Sequence, residues 1–207
     1  MVKITITHPE KPAKTSKAFS ASFFAICFLL GAIVCTTGDF IHVVTKTDGY
    51  PADGPFPFLP FLPVNMPVWV PLLFGSAVVL IGTLHKICAP YFTPHLAHNK
   101  SLALASPLIF LALYAGSGLI PAQTGGFQDI WLGLAALSFW RYADGTPIGA
   151  LLAVVAAICG TAFEMMLVHI HGFFYYPCHA NFFGAPSWLP WLYVAASVSV
   201  SLFVRYI

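Results

Sequence analysis

Glu164 is the residue from which chemistry is most directly read. It stands inside the apolar run IGALLAVVAAICGTAFEMMLVH, with Thr161 one turn before it and His169 five residues after it. His171 follows, and His179 sits in the next connection. If the run crosses a bilayer, a charge at mid-depth costs about 2.5–3.5 kcal/mol on insertion scales, so the side chain faces the bundle interior with a partner. Two readings stand side by side. One is a polar spot that holds a ligand head group or a proton. The other is a protonated carboxyl bonded to a nearby backbone or hydroxyl group, serving helix packing alone.

Glu164, His169, His171, Cys178 and His179 are all metal-ligating types. Their spacing does not support a site: the two histidines of HxH point to opposite faces of a helix, no HExxH is present, and His95 and His98 lie in a proline-containing loop. No metal and no cofactor is expected. There is no GxSxG, no P-loop and no GxGxxG after a strand. The five cysteines include no CxxC pair, and three of them (Cys27, Cys35, Cys159) sit in apolar stretches, so neither a disulfide framework nor a zinc cluster follows. Asp144, in the turn RYADGTP, reads as a turn residue and partner of Arg141.

The elements that must position these residues follow from composition. Of 207 residues, 58% are hydrophobic and only 8% charged, against about 25% charged in a soluble domain. Too little polar surface remains to cover a water-facing globule, and a net charge of +2 gives no reason to expect a nucleic-acid partner. The expected fold is an all-α membrane protein, a compact bundle of six transmembrane helices. Residues 1–17 form a polar cytosolic tail and residues 18–207 the membrane domain. The apolar runs are roughly 18–44, 68–87, 101–120, 127–140, 148–171 and 188–206; the fourth falls short of the ~20 residues a span needs. Asp39, Asp48 and Asp53 are assigned to the connection after the first span, together with the ladder FPFLPFLPVNMP. Proline at that density blocks helix and central strand alike, leaving an interfacial segment or a stiff linker.

With both termini cytosolic, Lys86, Lys100, Arg141 and Arg205 fall on the side of the tail lysines, and only Lys46 falls opposite, as the positive-inside rule favours. Trp69, Trp140, Trp188 and Trp191 lie near span ends. Small residues recur within the spans; Gly149 and Gly160, eleven apart, share one helix face and allow close approach.

Three stretches together resemble the insulin-induced gene (INSIG) family of membrane proteins: WVPLLFGSAVVLIG from Trp69, LGLAALSFWRYADGTPIGALLAVVAA from Leu132, and FFYYPCHANFFGAPSWLPWLYVAASVSVSLFVR from Phe173, whose SWLP core is the most specific element. The resemblance runs from Trp69 to the C-terminus. It implies a six-helix fold with a lipid-binding cavity opening within the bilayer; in animals the family senses oxysterols and retains partner proteins in the endoplasmic reticulum. The chain departs from the pattern in three places. HKICAP puts Ala89 where the family carries an aspartate after the second span, the polar stretch after the third span is missing, and Asn181 replaces an aspartate before SWLP. These departures weaken the implication of an INSIG-type protein partner and leave that of a lipid cavity intact.

The leading expectation is therefore a lipid-binding protein, not an enzyme, that acts as sensor or regulator. It would hold a neutral amphipathic lipid of sterol or acylglycerol type, with Glu164, His169 and Tyr175 at the polar end and Phe74, Trp131 and Phe163 as walls. Its partners would be that neutral membrane lipid and the bilayer, with a homo-oligomer left open. The membrane would be the plasma membrane in a bacterium and the endoplasmic reticulum in a eukaryote. The alternative is a membrane-embedded lipid-modifying enzyme using Glu164 and nearby histidines. A proton-coupled transporter built on Glu164 is the weakest reading, since neither paired broken helices nor internal symmetry is visible.

Overall fold

A computed structural model describes residues 19–91, 100–120, 126–170, 173–177 and 180–207. The polar tail and His95, His98, His171, Cys178 and His179 lie outside the described residues. Within them the chain is helical, with only isolated bridges and no strand.

The first helix, α1, runs Ala21–Val44. Ser20 caps it, its hydroxyl accepting from the Phe23 amide at 3.1 Å. A π turn over Gly31–Cys35 interrupts it where the helix meets its neighbour: a Cβ on Gly31 would lie 2.8 Å from the Val78 side chain and collide with the backbone carbonyl of Phe74. The second helix, α2, spans Trp69–Cys88 and tightens into a 3-10 turn at Ala89–Tyr91. The third, α3, spans Lys100–Leu119 with Pro107 inside it. Proline cannot donate to the carbonyl four residues back; here the Ser106 hydroxyl meets that carbonyl, Ala103 O, at 2.9 Å and also reaches Ser199 O at 3.0 Å.

The fourth helix, α4, covers Phe127–Ala143 and the fifth, α5, Pro147–His169. Thr146 caps α5 through the Gly149 amide, and Pro147 occupies the first turn, where its missing N–H costs nothing. The sixth, α6, spans Leu189–Tyr206. Five of the six helices (all but α4) are long and apolar enough to cross a membrane. The 17 residues of α4 rise only about 26 Å at ~1.5 Å per residue, short of a ~30 Å hydrocarbon core.

The bundle is organised around α6, which packs on α2, α3, α4 and α5, while α1 packs on α2 and α3. Lipid offers no hydrophobic drive for helix association, so close approach and hydrogen bonds hold such bundles together. The small, buried serines of α6 supply both: Ser197 lies 2.9 Å from His85 of α2 and the Ser199 carbonyl accepts from Ser106 of α3. Gly149 and Gly160 do share a face, as their spacing predicts. A Cβ at Gly160 would penetrate the ring of Tyr193 on α6, and one at Gly149 the carboxylate of Asp144.

Charge is segregated between the two ends. At one, the Lys86 ammonium sits 4.3 Å over the Phe23 ring, that of Lys100 5.6 Å from the Tyr206 ring, and Arg205 meets Asp144 at 3.2 Å. Asp144 thus pairs with Arg205 rather than with Arg141, because it is turned inward. It is 3% exposed and also bonded to the Thr146 hydroxyl and, at 3.4 Å, to that of Ser201.

The opposite end is closed by two connections. The proline ladder folds back on itself, with the Leu59 amide donating to Met66 O at 2.8 Å and the Val68 amide to Pro57 O at 3.0 Å. Met66 is fully buried, whereas Phe61 is 76% exposed. Phe56 stacks against Phe173 and Trp69, with ring centroids 5.4 and 6.3 Å away. Gly49 and Tyr175 exchange a pair of 2.9 Å backbone hydrogen bonds, tying the α1–α2 connection to the α5–α6 connection. Asp39, expected in the first of these connections, lies instead within α1 and is buried. The apolar sequence resumes after it as FIHVV, so the helix carries on past the carboxylate.

Candidate functional site

Below the two connections lies a cavity of about 430 Å³, bounded by α1, α2, α3, α5 and α6. This is within the ~300–1,000 Å³ range of small-molecule sites. Most of its wall is apolar, including Leu73 and Phe74 of α2, Phe110 of α3, Phe163 of α5 and Leu192 of α6. Four lining residues, Ser76 and Leu80 of α2 and Cys159 and Phe163 of α5, are also exposed on the outer surface. The cavity therefore opens sideways between α2 and α5, toward the layer that lipid tails occupy.

Its inner end is polar, and three carboxylates line it: Asp39, Asp48 and Glu164. Glu164 accepts hydrogen bonds from two phenols, Tyr176 on the α5–α6 connection and Tyr193 on α6, the latter at 2.5 Å. Gly160 makes the second contact possible. It stands one turn before Glu164 on α5 and leaves the space that the Tyr193 ring fills. Asp39 accepts from Tyr50 at 2.7 Å and, more weakly, from Tyr114 at 3.4 Å. The Tyr114 ring lies against Gly38, where no Cβ would fit. Burial, reinforced by the nearby carboxylates, holds the Tyr50 and Tyr176 phenols well above the ordinary range for tyrosine, so both remain donors. Burial followed by the charge of Glu164 likewise pushes the Asp48 carboxyl well above the ordinary carboxylate range.

Ser117, His42 and Asp48 stand in the order of a hydrolytic triad. The Ser117 hydroxyl is 2.9 Å from His42 Nε2, and His42 Nδ1 is 3.7 Å from Asp48 Oδ2. The proton arrangement is wrong for that chemistry. The Ser117 hydroxyl donates to the Tyr114 carbonyl at 2.7 Å, and the same carbonyl lies 3.0 Å from Nε2. A carbonyl only accepts, so Nε2 carries the proton and cannot take one from serine. Ser117 is also fully buried and does not line the cavity. The set reads as a packing joint between α1 and α3 that orients Asp48.

Of the residues expected to form the site, Glu164, Phe74 and Phe163 line the cavity, while His169, Tyr175 and Trp131 do not. His169 is exposed, its Nδ1 donating to Met165 O at 2.6 Å. Tyr175 is 46% exposed and belongs to the bridge with Gly49; its neighbour Tyr176 carries the phenol inward. Trp131 fills the seam between α4 and α3, where a Cβ on Gly116 would come within 2.7 Å of it. The residues that sequence reasoning missed are Asp39, Asp48, Tyr50, Tyr114, Tyr176 and Tyr193. One signal was present: in TGDFIH, Asp39 and His42 are three apart, hence neighbours on one helical face. The tyrosines gave none, since a tyrosine near a span end ordinarily marks the interface. Among the described residues no group of three His, Cys, Asp or Glu side chains is arranged to hold a metal ion.

No protein-family model matches the chain. It is 31% identical over 180 residues to the INSIG protein homolog of Mycolicibacterium vanbaalenii, spanning 86% of this chain and 82% of that protein. Two crystal structures of the mycobacterial Insig homolog MvINS, one of them a cross-linked trimer, share its fold with a TM-score of 0.75 and 29% identity. Each alignment covers 90% of this chain and 94% of the other.

Proposed function

Because the chain belongs to the INSIG protein family, we propose that it is a lipid-binding membrane protein that holds a neutral amphipathic lipid, of sterol or acylglycerol type, in the intramembrane cavity and acts as a sensor or regulator. One observation carries this reading: a single cavity joins an apolar wall, exposed at Ser76, Leu80, Cys159 and Phe163, to a polar end lined by Asp39, Asp48 and Glu164. A lipid entering between α2 and α5 would leave its tail against Leu73, Phe74 and Phe163 and bring its head to Glu164 and Asp48. Burying hydrocarbon stabilises the complex by about 25 cal/mol per Å² removed from water. Lipid tails lose most of that gain, so selectivity falls to the polar end.

The cationic end of the bundle, with Lys86, Lys100 and Arg205, supports a cytosolic placement of that end and of both termini. This arrangement requires α4 to make a sixth crossing, as a short, tilted or locally thinned span would. The trimeric crystal form of MvINS supports self-association of this chain as well. Native mass spectrometry of the detergent-extracted protein tests both parts. The expected result is a retained neutral lipid of defined mass on each subunit of an oligomer; a lipid-free protein that stays empty after incubation with neutral lipids refutes the reading.

The enzyme alternative gains no support from the geometry. Glu164 is committed to two phenols, His169 faces outward, and His42 has the wrong proton on the wrong nitrogen for a general base toward Ser117.

A further inference from the structure

We infer that the polar end of the cavity also takes a cationic head group, so that single-chain amphipaths with a primary ammonium head form a second ligand class for this protein. The inference rests on the cavity being the lipid site proposed above and goes beyond the neutral class. The first support is a donor–acceptor count. Asp39, Asp48 and Glu164 face one cavity, and the phenolic protons of Tyr50, Tyr176 and Tyr193 already point at carboxylate oxygens. Apart from the indole N–H of Trp69, which is buried without a partner, the polar groups that the wall still offers an incoming head group are carboxylate acceptors, which a head rich in N–H or O–H donors would satisfy.

The second support is independent of the cluster as such. Asp48 is only 5% exposed, and its Oδ1 is buried without a hydrogen-bond partner. A buried carboxylate oxygen without a partner is costly, and the charge acting on Asp48 is that of another carboxylate, Glu164. Either a proton or a donor from outside must fill that position. The balance of charge favours a donor that brings a positive charge. Against three carboxylates the cluster contains one imidazole, His42, 3.7 Å from Asp48, and an ion pair within a low-dielectric site holds only where both signs are present. Aromatic faces complete the pocket: Tyr50, Trp69 and Phe174 all line it, with Tyr50 5.8 Å from Trp69 and 6.3 Å from Phe174. Rings so placed attract an ammonium electrostatically. An ammonium has three donors for these carboxylates; an alcohol of the same chain length has one and no charge.

The test compares hexadecylamine with hexadecanol on the full chain in nanodiscs of phosphatidylcholine, reading thermal stabilisation as a function of ligand concentration at neutral pH. Any ligand that binds the folded state alone raises the melting temperature by an amount that grows with the logarithm of its concentration over Kd, so the concentration dependence reports affinity. The amine is expected to bind at least ten-fold more tightly than the alcohol. Asp48→Asn should bring the ratio of amine to alcohol affinity down to within about two-fold of one, and Glu164→Gln should lower that ratio in the same direction. Equal affinity of amine and alcohol, or tighter binding of the alcohol, in the unsubstituted protein overturns the inference by itself, whatever the variants do. An amine advantage that survives in both variants overturns it too, because the carboxylates would then not be its source. Failure of both ligands, together with failure of neutral lipids to be retained, would remove the cavity reading as well; failure of the amine alone leaves that reading standing.

Discussion

Glu164 is half-buried and Asp48 buried, and the two carboxylates are satisfied differently, which decides what each substitution does. Glu164 accepts from two phenols. Hydrogen bonds to a charged group contribute about 1.5–3 kcal/mol each, so Tyr176→Phe and Tyr193→Phe should each destabilise the fold by about 2 kcal/mol. The double variant should cost less than the sum, because Glu164 is expected to take up a proton once both donors are gone; chemical denaturation in detergent checks this. Asp48 behaves in the opposite sense to a salt-bridged surface carboxylate. Its pKa is raised on folding from the ordinary 3.8 by burial and the charge of Glu164, so the folded state binds a proton that the unfolded state has released. Stability contributed by Asp48 is therefore fully present below the ordinary carboxylate value and is lost as pH rises from there through the raised folded value. Asp39, His42, Tyr50 and Glu164 surround it and titrate as well, so the measurement is a difference: the fall in stability with rising pH should be shallower in Asp48→Asn than in the unsubstituted protein. An identical slope in the two would show that Asp48 carries no such proton. From sequence, Glu164 was legible as a lone charge in a long apolar run. Asp39 was not, because five residues from a helix end a carboxylate reads equally well as the start of a loop.

Helix positions were legible wherever the apolar run was long, and their mutual contacts were not. The apolar run expected over 148–171 forms a helix over Pro147–His169, starting one residue earlier and ending two residues sooner. The pairing of Asp144 with Arg205 joins residues 61 positions apart, and no local pattern reveals it; the nearer Arg141 was the natural guess. That pair fastens the α4–α5 turn to the end of α6. Arg205→Ala would leave the fully buried Asp144 carboxylate short of its cation, a situation that costs about 3–5 kcal/mol in buried pairs and less here, since Arg205 keeps 18% exposure. A loss of about 2 kcal/mol is expected, with Asp144→Asn/Arg205→Met recovering part of it in a double-mutant cycle. Gly160 belongs to the same scale. Gly160→Leu has no room beside Tyr193, so it should push α5 away from α6, break the Tyr193–Glu164 bond and lower lipid retention, while Gly126→Ala, with nothing near its Cβ, should leave retention unchanged. Comparing lipid retained per mole of each purified variant checks the contrast.

At the scale of the whole molecule, composition alone required lipid as the solvent, and the segregation of charge between the two ends of the bundle follows from that. What composition could not supply is the cavity. Its walls come from five helices far apart in sequence, with close approaches at Gly31, Gly38 and Gly160 and with Leu73, Phe74 and Phe163 among the lining residues, and only the assembled helices make that geometry. The central claim is that a lipid occupies this space from within the bilayer. Photoaffinity labelling with a clickable, diazirine-bearing monoacylglycerol in phosphatidylcholine nanodiscs, followed by peptide mapping, tests it most directly. Labelling should concentrate on the cavity-facing residues of α2 and α5, between Trp69 and Leu80 and between Cys159 and Leu167, and should be lost when Ala77→Trp fills the cavity. Labelling spread over the outward faces, and unchanged by Ala77→Trp, would contradict it.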